Sequence, residues 1–284
     1  MAELSITSTL EIYDLNTGAR TPIREFEGRI EAPNWHPNGD DLIYNANGHI
    51  YRYHLPTGEI AQINTGSCNR CNNDHVISAD GKSLAISAGT DAHPESRIYV
   101  LPIGGGEPSL VTVKSPSYLH GWSPDMHTLA YCAARNGEYD IYTTCAGDAP
   151  EVQLTAVEGL NDGPEYSPDG KHIWFNSVRT GLMQVWRMNA DGTEQTQMTF
   201  DDDRNSWFPH VSPDGEKVAF IAYKQGDVKP GDHPMNKHVE IRMMPYEGGA
   251  PETLFPLFGG QGSLNVNSWS PNSDKFAFVS YTII

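Results

Sequence analysis

The stretch Tyr166-Ser167-Pro168-Asp169-Gly170 decides the fold, because the chain carries a version of it six times. The other copies are Trp35-His36-Pro37-Asn38-Gly39, Ile77-Ser78-Ala79-Asp80-Gly81, Trp122-Ser123-Pro124-Asp125-Met126, Val211-Ser212-Pro213-Asp214-Gly215 and Trp269-Ser270-Pro271-Asn272-Ser273. The third positions of successive copies are 42, 45, 44, 45 and 58 residues apart. A period of about 40–45 residues is typical of the four-stranded blades of a β-propeller.

Each copy reads as a tight turn between two strands. Ser accepts hydrogen bonds at the first position, Pro presets its backbone angle, and Gly tolerates the last position. A short run such as Ile173-Trp174-Phe175 follows each turn and predicts a buried strand. Further strands and Gly turns complete each repeat. We assign four tryptophans to the cores of the blades: Trp35, Trp122, Trp174 and Trp269.

The two ends of the chain are predicted to share the sixth blade. Only 13 residues follow Pro271, enough for one turn and one strand, whereas 10–18 read as a strand and a turn with no opening phrase. We expect the C-terminus to supply the two inner strands and the N-terminus the two outer ones, which leaves only short exposed edges. The prediction is an all-β, six-bladed propeller of four-stranded antiparallel blades. It forms a single domain over residues 1–284, with turns near 36–39, 78–81, 123–126, 167–170, 212–215 and 270–273.

The charge balance limits the classes of partner. The chain has 19 Lys and Arg against 36 Asp and Glu, a net charge of −17, which argues against nucleic acid and anionic membranes as partners. No apolar run approaches the length of a membrane-spanning helix, so we expect a soluble protein with no membrane insertion. No signal peptide is visible, which predicts a cytoplasmic location, or a periplasmic one if a leader has been removed. The four cysteines do not form a disulfide framework in a chain of this length.

The phrases WHPNGDDLIY, YSPDGKHIWF and WSPNSDKFAF resemble the WD-like repeat of the TolB family of propellers. All six copies match, so the resemblance covers essentially the whole chain. It implies a six-bladed propeller, here without the α/β domain that precedes the propeller in TolB itself. The repeat is also similar to that of oligogalacturonate lyases and of prolyl-oligopeptidase-type peptidases. The nucleophile-elbow sequence of those peptidases is absent, which excludes a peptidase.

Propeller topology then predicts where a ligand would bind. Residues three and five places before the Ser of each turn begin the innermost strands, at the mouth of the central channel on the face away from the turns. Many of them are polar, and convergent polar groups in a concave place favour a binding site. The long loop 224–238 and the segment 255–267 point to the same face. The candidate ligand-binding residues are Glu31, Asn73, Asp74, His75, Tyr118, His120, Asn161, Asp162, Trp207, His210, His233, Lys237, Gln261, Asn265 and Asn267.

Two functions are compatible with this pattern. The first is a non-catalytic binding module that holds a peptide, a protein partner, a small sugar or a cation. The second is a metal-dependent lyase or hydrolase acting on an oligosaccharide. The oligogalacturonate lyases that the chain resembles hold a metal with His and Gln, and His75, His120 and His210 would be the ligands here. The sequence does not decide whether the protein is an enzyme, and we prefer the non-catalytic binding module. No cofactor is required, although Ca²⁺, Mn²⁺ or Zn²⁺ could bind at the mouth.

Overall fold

Six antiparallel sheets surround a central channel in the computed structural model, which describes residues 5–135, 137–145 and 149–284. The first strands, β1 (Ile6–Asp14) and β2 (Ala19–Glu27), belong to the last blade. Blade one contains β3 (Glu31–Trp35), β4 (Asp41–Ala46), β5 (His49–His54) and β6 (Glu59–Ile63). Blade two contains β7 (Arg70–Ile77), β8 (Ser83–Gly89), β9 (Arg97–Pro102) and β10 (Ser109–Leu110).

The remaining blades follow the same order from the channel outward. Blade three contains β11 (Ser117–Trp122), β12 (Thr128–Arg135), β13 (Glu138–Cys145) and β14 (Val152–Gln153). Blade four contains β15 (Asn161–Tyr166), β16 (His172–Ser177), β17 (Gln184–Asn189) and β18 (Thr196–Gln197). Blade five contains β19 (Arg204–Val211), β20 (Lys217–Lys224), β21 (Lys237–Pro245) and β22 (Glu252–Gly259). A short 3₁₀ helix (Gln261–Ser263) precedes the final strand, β23 (Lys275–Ile283). The predicted six-bladed, all-β fold is confirmed.

The repeated turn forms for the reason its residues suggest. In blade four the Ser167 hydroxyl donates to the Asp169 carboxylate at 2.7 Å, and the His172 amide donates to the Ser167 hydroxyl oxygen at 3.0 Å. The amide of Gly170 donates to the carbonyl of Ser167 at 2.8 Å. Gly170 has a φ of 71°, in the left-handed region that glycine adopts without a steric penalty. The backbone bond recurs in all six turns, and the Ser-to-Asp bond recurs in blades two to five.

Pairing between the two ends of the chain closes the ring, as predicted. β1 pairs antiparallel with β23, with Leu10 opposite Val279 and Asp14 opposite Lys275. We predicted that the C-terminus supplies two inner strands, but it supplies only β23. At the innermost position of this blade, Trp269 makes an isolated bridge to Phe276 in place of a strand. The residues before Trp269 are instead taken up by the 3₁₀ helix and by a buried segment whose side chains bond to other blades.

The hydrophobic core is divided among the contacts between neighbouring blades. The largest cluster surrounds Phe255, Phe276 and Phe278, where blades five and six meet. Trp174 is fully buried and Trp269 nearly so, as expected of core residues. The assignment to the core is incomplete for Trp35 and Trp122, which pack on their blades with one side and are partly exposed to the channel with the other. No helix among the described residues is long and apolar enough to cross a membrane.

Candidate ligand-binding site at the channel mouth

The end of the channel away from the repeated turns opens into a cavity of about 620 Å³. We call this cavity the mouth. Its wall combines the first residues of three inner strands, two residues from the second and third strands of blade three, and parts of three loops. The lining residues are Asn72, Asn73, Asp74, Tyr118, His120, Cys132, Tyr139, Leu160, Asp162, Gly231, His233 and Gln261.

Bulges in the inner strands aim polar side chains at the mouth. The pairing of β7 with β8 shifts register between Cys71 and His75, and β15 shifts between Asp162 and Glu165. At the first bulge the Asn72 side chain donates to the Asp74 carboxylate at 2.8 Å. Such a bulge breaks the alternation of a strand and redirects a side chain, which is why bulges are frequent beside functional sites.

His120 lies between two carboxylates at the centre of the mouth. Its Nε2 atom is 3.4 Å from Asp162 Oδ1 and 3.8 Å from Asp74 Oδ1. The imidazole also stacks on Phe208, with ring centroids 5.6 Å apart. Burial alone would lower the pKa of His120, but the negative charges of Asp74 and Asp162 outweigh it and raise that pKa. The His120 ring therefore keeps its second proton, and with it a positive charge, to a higher pH than an ordinary histidine.

The two carboxylates respond differently to this shared partner. Burial raises the pKa of Asp74, even though His120 and a hydrogen bond from Asn265 oppose the shift. For Asp162 burial is outweighed by the hydrogen bond and charge of His120, which lower its pKa. Asp162 is thus the anionic partner of His120, whereas Asp74 is a buried carboxyl without a full counter-charge.

The loop between β20 and β21 brings a second histidine over the mouth. The ring of His233 contacts Trp207 edge-on, with centroids 4.4 Å apart, and its Nε2 atom is 3.9 Å from Asp162 Oδ2. The Tyr223 hydroxyl donates to the carbonyl of Pro234 at 2.9 Å, which fixes the loop against β20. This loop spans 225–236, because Lys224, Lys237 and His238, predicted as part of it, lie in the flanking strands.

Seven of the residues predicted from sequence line the mouth together: Asn73, Asp74, Tyr118, His120, Asp162, His233 and Gln261. Asn265 supports them from behind, since its amide donates to Asp74 at 2.8 Å and to the carbonyl of Asn73 at 3.0 Å. Trp207 is buried beneath His233 rather than open for stacking.

The other predicted residues lie elsewhere. Asn161 is buried and donates to the Asp140 carboxylate at 3.0 Å, while Glu31 lies against Gly262 and Asn45. The Lys237 ammonium, at the start of β21, donates to the carbonyl of Asp227 in the adjacent loop at 3.3 Å. Asn267 lies at the opposite end of the channel, where it donates to Glu165.

The three predicted metal-binding histidines are not assembled as a ligand set. His210 is held by the Glu165 carboxylate at 2.6 Å on Nδ1 and by the Leu264 carbonyl at 3.2 Å on Nε2, so both nitrogens are engaged. His75 is completely buried, and neither of its nitrogens has a hydrogen-bond partner among the described residues. Within the part of the chain that the structure describes, no group of three or more His, Cys, Asp or Glu side chains could hold a metal ion.

Sequence reasoning missed five lining residues: Asn72, Cys132, Tyr139, Leu160 and Gly231. Tyr139 is the second residue of the third strand of blade three, and its ring centroid lies 6.4 Å from that of Tyr118. Cys132 lies on the second strand, and burial raises the pKa of its thiol, which disfavours the nucleophilic thiolate. Counting back from the repeated turn samples fixed positions of the inner strands, so it passes over Asn72 on β7 and cannot find Cys132 and Tyr139 on outer strands.

Comparison with known proteins agrees with this architecture. A family model described as the TolB beta propeller domain matches residues 115–244. An uncharacterized protein of Agrobacterium fabrum is 45% identical over 280 residues, which are 98% of this chain and 93% of that protein. A solved structure from Agrobacterium tumefaciens, provisionally identified as TolB, superposes with a TM-score of 0.93 at 44% identity and covers 99% of this chain and 100% of that one.

More distant similarities extend to larger proteins. The Tol-Pal system protein TolB of Francisella tularensis is 24% identical over 209 residues, which are 70% of this chain and 47% of that protein. This chain therefore spans about half the length of the Tol-Pal proteins it matches. An oligogalacturonate lyase solved in complex with manganese has a TM-score of 0.55 at 14% identity and shares the fold alone.

Proposed function

Because this chain belongs to the TolB-like β-propeller family, we propose that it is a non-catalytic binding module whose mouth receives a positively charged side chain of a protein or peptide partner. The main evidence for this proposal is the charge of the side chains that line the mouth. Asp74 and Asp162 both line it, and none of its described lining residues is Lys or Arg. A cavity of about 620 Å³ has room for a long side chain together with some of its backbone.

The arrangement of charges favours a cation over a neutral ligand. The positive charge of His120 balances the carboxylate of Asp162, whereas the carboxyl of Asp74 is buried without a full counter-charge. An ammonium or guanidinium group entering the mouth would supply that charge in a desolvated place, where a charge-assisted hydrogen bond is stronger than in water. Tyr118 and Tyr139 add aromatic rings on which an Arg side chain can pack.

The acidity of the whole protein supports the same partner chemistry. A net charge of −17 attracts cationic partners from a distance and raises their association rate at low salt. The predicted protein or peptide partner is thus specified as one that presents a basic side chain.

A matched pair of short peptides tests the proposal. Calorimetry would compare acetyl-Gly-Arg-Gly-amide with the same peptide containing citrulline, which keeps the shape of Arg and removes its charge. We expect saturable binding of the Arg peptide, about tenfold weaker binding of the citrulline peptide, and a similar loss in Asp74→Asn. Glu216→Gln, an exposed change on the opposite face, is the control and should bind as the wild type. Equal binding of both peptides, or no saturable binding of either, would overturn the proposal.

Two finer predictions remain open to separate tests. Carboxylate and amide oxygens at the mouth suit Ca²⁺, and a thermal-shift titration of chelated protein would detect it, since a ligand at 100 times its dissociation constant adds about 2.7 kcal/mol. The cytoplasmic location is tested by cell fractionation. The lyase alternative is not proposed further, because its support is a likeness of fold.

A further inference from the structure

The opposite end of the channel opens among the repeated turns as a second cavity of about 360 Å³. We call this cavity the turn-face funnel. Four of the six blades place an aromatic residue in its wall, always at the position directly before the turn: Trp35, Trp122, Tyr166 and Trp269. The first three are partly exposed, and Trp269 is 3% exposed. The repeat therefore arranges aromatic rings around the channel axis at one level.

A buried carboxylate lies at the floor of the turn-face funnel. Glu165 is 7% exposed and lines the cavity. Its oxygens accept hydrogen bonds from the Val211 amide at 2.8 Å and from the Asn267 side chain at 2.8 Å, and Oε2 lies 2.6 Å from His210 Nδ1. These contacts hold the carboxylate in place beneath the aromatic rings.

Much of the polar surface of the funnel already has partners inside the protein. The Asn34 side chain donates to the Asn267 carbonyl at 2.6 Å and accepts from the Ile77 amide at 3.1 Å. The indole N–H groups of Trp35 and Trp269 donate to the carbonyls of Gly39 and His210, each at 3.0 Å. A ligand with many hydroxyl groups, such as a sugar, would find few hydrogen-bond partners here.

We propose that the turn-face funnel is a second binding site, for a methylated ammonium group, at the other end of the channel from the mouth; His120 lines both cavities where they meet. Such a cation has no N–H to satisfy, and its charge is spread over methyl groups. Aromatic faces attract it through their quadrupoles, and the Glu165 carboxylate, although it is paired with His210, adds negative charge without needing a free lone pair. The combination of aromatic wall, fixed carboxylate and satisfied polar groups matches that chemistry and not that of a primary amine or a sugar.

The test compares choline with 3,3-dimethylbutan-1-ol, which has the same shape without the positive charge. Calorimetry on the full chain should show saturable choline binding and about tenfold weaker binding of the neutral alcohol. Trp122→Leu should weaken choline binding by about tenfold, and Glu165→Gln, which preserves the shape of the carboxylate, should remove the preference for the charged ligand. Phe200→Leu, on a side chain 76% exposed outside the funnel, is the control and should bind like the wild type.

A mouth variant separates this site from the proposed function. Asp74→Asn should not weaken choline binding, because Asp74 lines the mouth and not the funnel, and this change leaves in place His120, the one described residue that lines both cavities. Loss of choline binding in Asp74→Asn would place the cation at the mouth and overturn the proposal. Equal affinity for the two probes, or no saturable binding of choline, would also overturn it. If Glu165→Gln does not fold, Trp122→Leu decides, since Trp122 is partly exposed and its loss should be tolerated.

Discussion

Acid should weaken this fold through one buried histidine. His75 on β7 is 0% exposed, and neither ring nitrogen has a hydrogen-bond partner among the described residues. Burial lowers the pKa of His75 to about 3, against about 6.5 for an ordinary histidine. In the folded protein the ring stays neutral at mildly acidic pH, whereas the unfolded chain takes up a proton there.

The size and sign of the effect follow from this difference. Between pH 6.5 and about 3 the unfolded state binds more protons than the folded state, so the free energy of unfolding falls as the pH falls. Each pH unit in that window costs about 1.4 kcal/mol. Moving from pH 7.5 to pH 4.5 should therefore remove about 2.7 kcal/mol through His75 alone.

The measurement is urea unfolding of the wild type and of His75→Leu at a series of pH values from 7.5 to 4.5. Other groups titrate in both proteins, so the informative quantity is the difference between their free energies of unfolding. That difference should move in favour of the variant by about 2.7 kcal/mol across the series. Ile86→Val is the control: Ile86 pairs with His75 across β7 and β8, and its loss of a methyl group should cost about 1 kcal/mol at every pH.

A difference that stays constant across the series would refute the reasoning. So would an NMR titration in which the His75 ring of the folded protein takes up a proton near pH 6.5. Either result would mean that water or a polar group reaches this imidazole in the native state.

Three further predictions concern stability and are read by denaturant or thermal unfolding. Burial opposes the ionisation of Glu151, but hydrogen bonds from Arg135 and other groups lower its pKa to about 2. Glu151→Gln should therefore lower the free energy of unfolding by about 1–2 kcal/mol at pH 7, and this cost should shrink as the pH falls below about 4.5. A cost that does not change with pH would contradict the prediction. Leu10→Ala, at a fully buried position of the closing strand, should cost about 2–5 kcal/mol, and a cost below 1 kcal/mol would mean that closure does not limit stability. Gly262→Ala should cost about 1–3 kcal/mol, because the added Cβ would lie 2.5 Å from Glu31 Oε1; a neutral outcome would show that the glutamate can move aside.

The fold could be predicted because the deciding information is local. A turn such as Ser167 to Gly170 is specified by hydrogen bonds among neighbouring residues, and its spacing sets the number of blades. The closure of the ring could be predicted because the N-terminal strand has no opening turn of its own and the C-terminal turn is followed by too few residues for a whole blade. The innermost position of blade six could not be read this way, since the segment before Trp269 is shaped by contacts with other blades.

The sequence predicts the part of the candidate site that lies on inner strands and on the two long segments that carry His233 and Gln261. Asp74, His120 and Asp162 come together because the repeat fixes their height in the channel. Tyr139 lies on an outer strand, and its approach to Tyr118 depends on blade geometry that the spacing of turns does not contain. His210 was predicted as a metal ligand because it is a histidine, but in the structure it is paired with Glu165 of the preceding blade. The spacing of the turns does not reveal that contact.

The pairing of β1 with β23 joins two strands that are synthesised far apart in time. The register runs from Ile6 opposite Ile283 to Asp14 opposite Lys275, so it spans almost the whole chain. Contacts of such long range close slowly, and until they form, β1 has an unpaired edge that can join another chain. A polypeptide that stops before β23 keeps this edge open. Synthesis of β23 is therefore a condition for covering this edge, and chains that end before it should aggregate through β1.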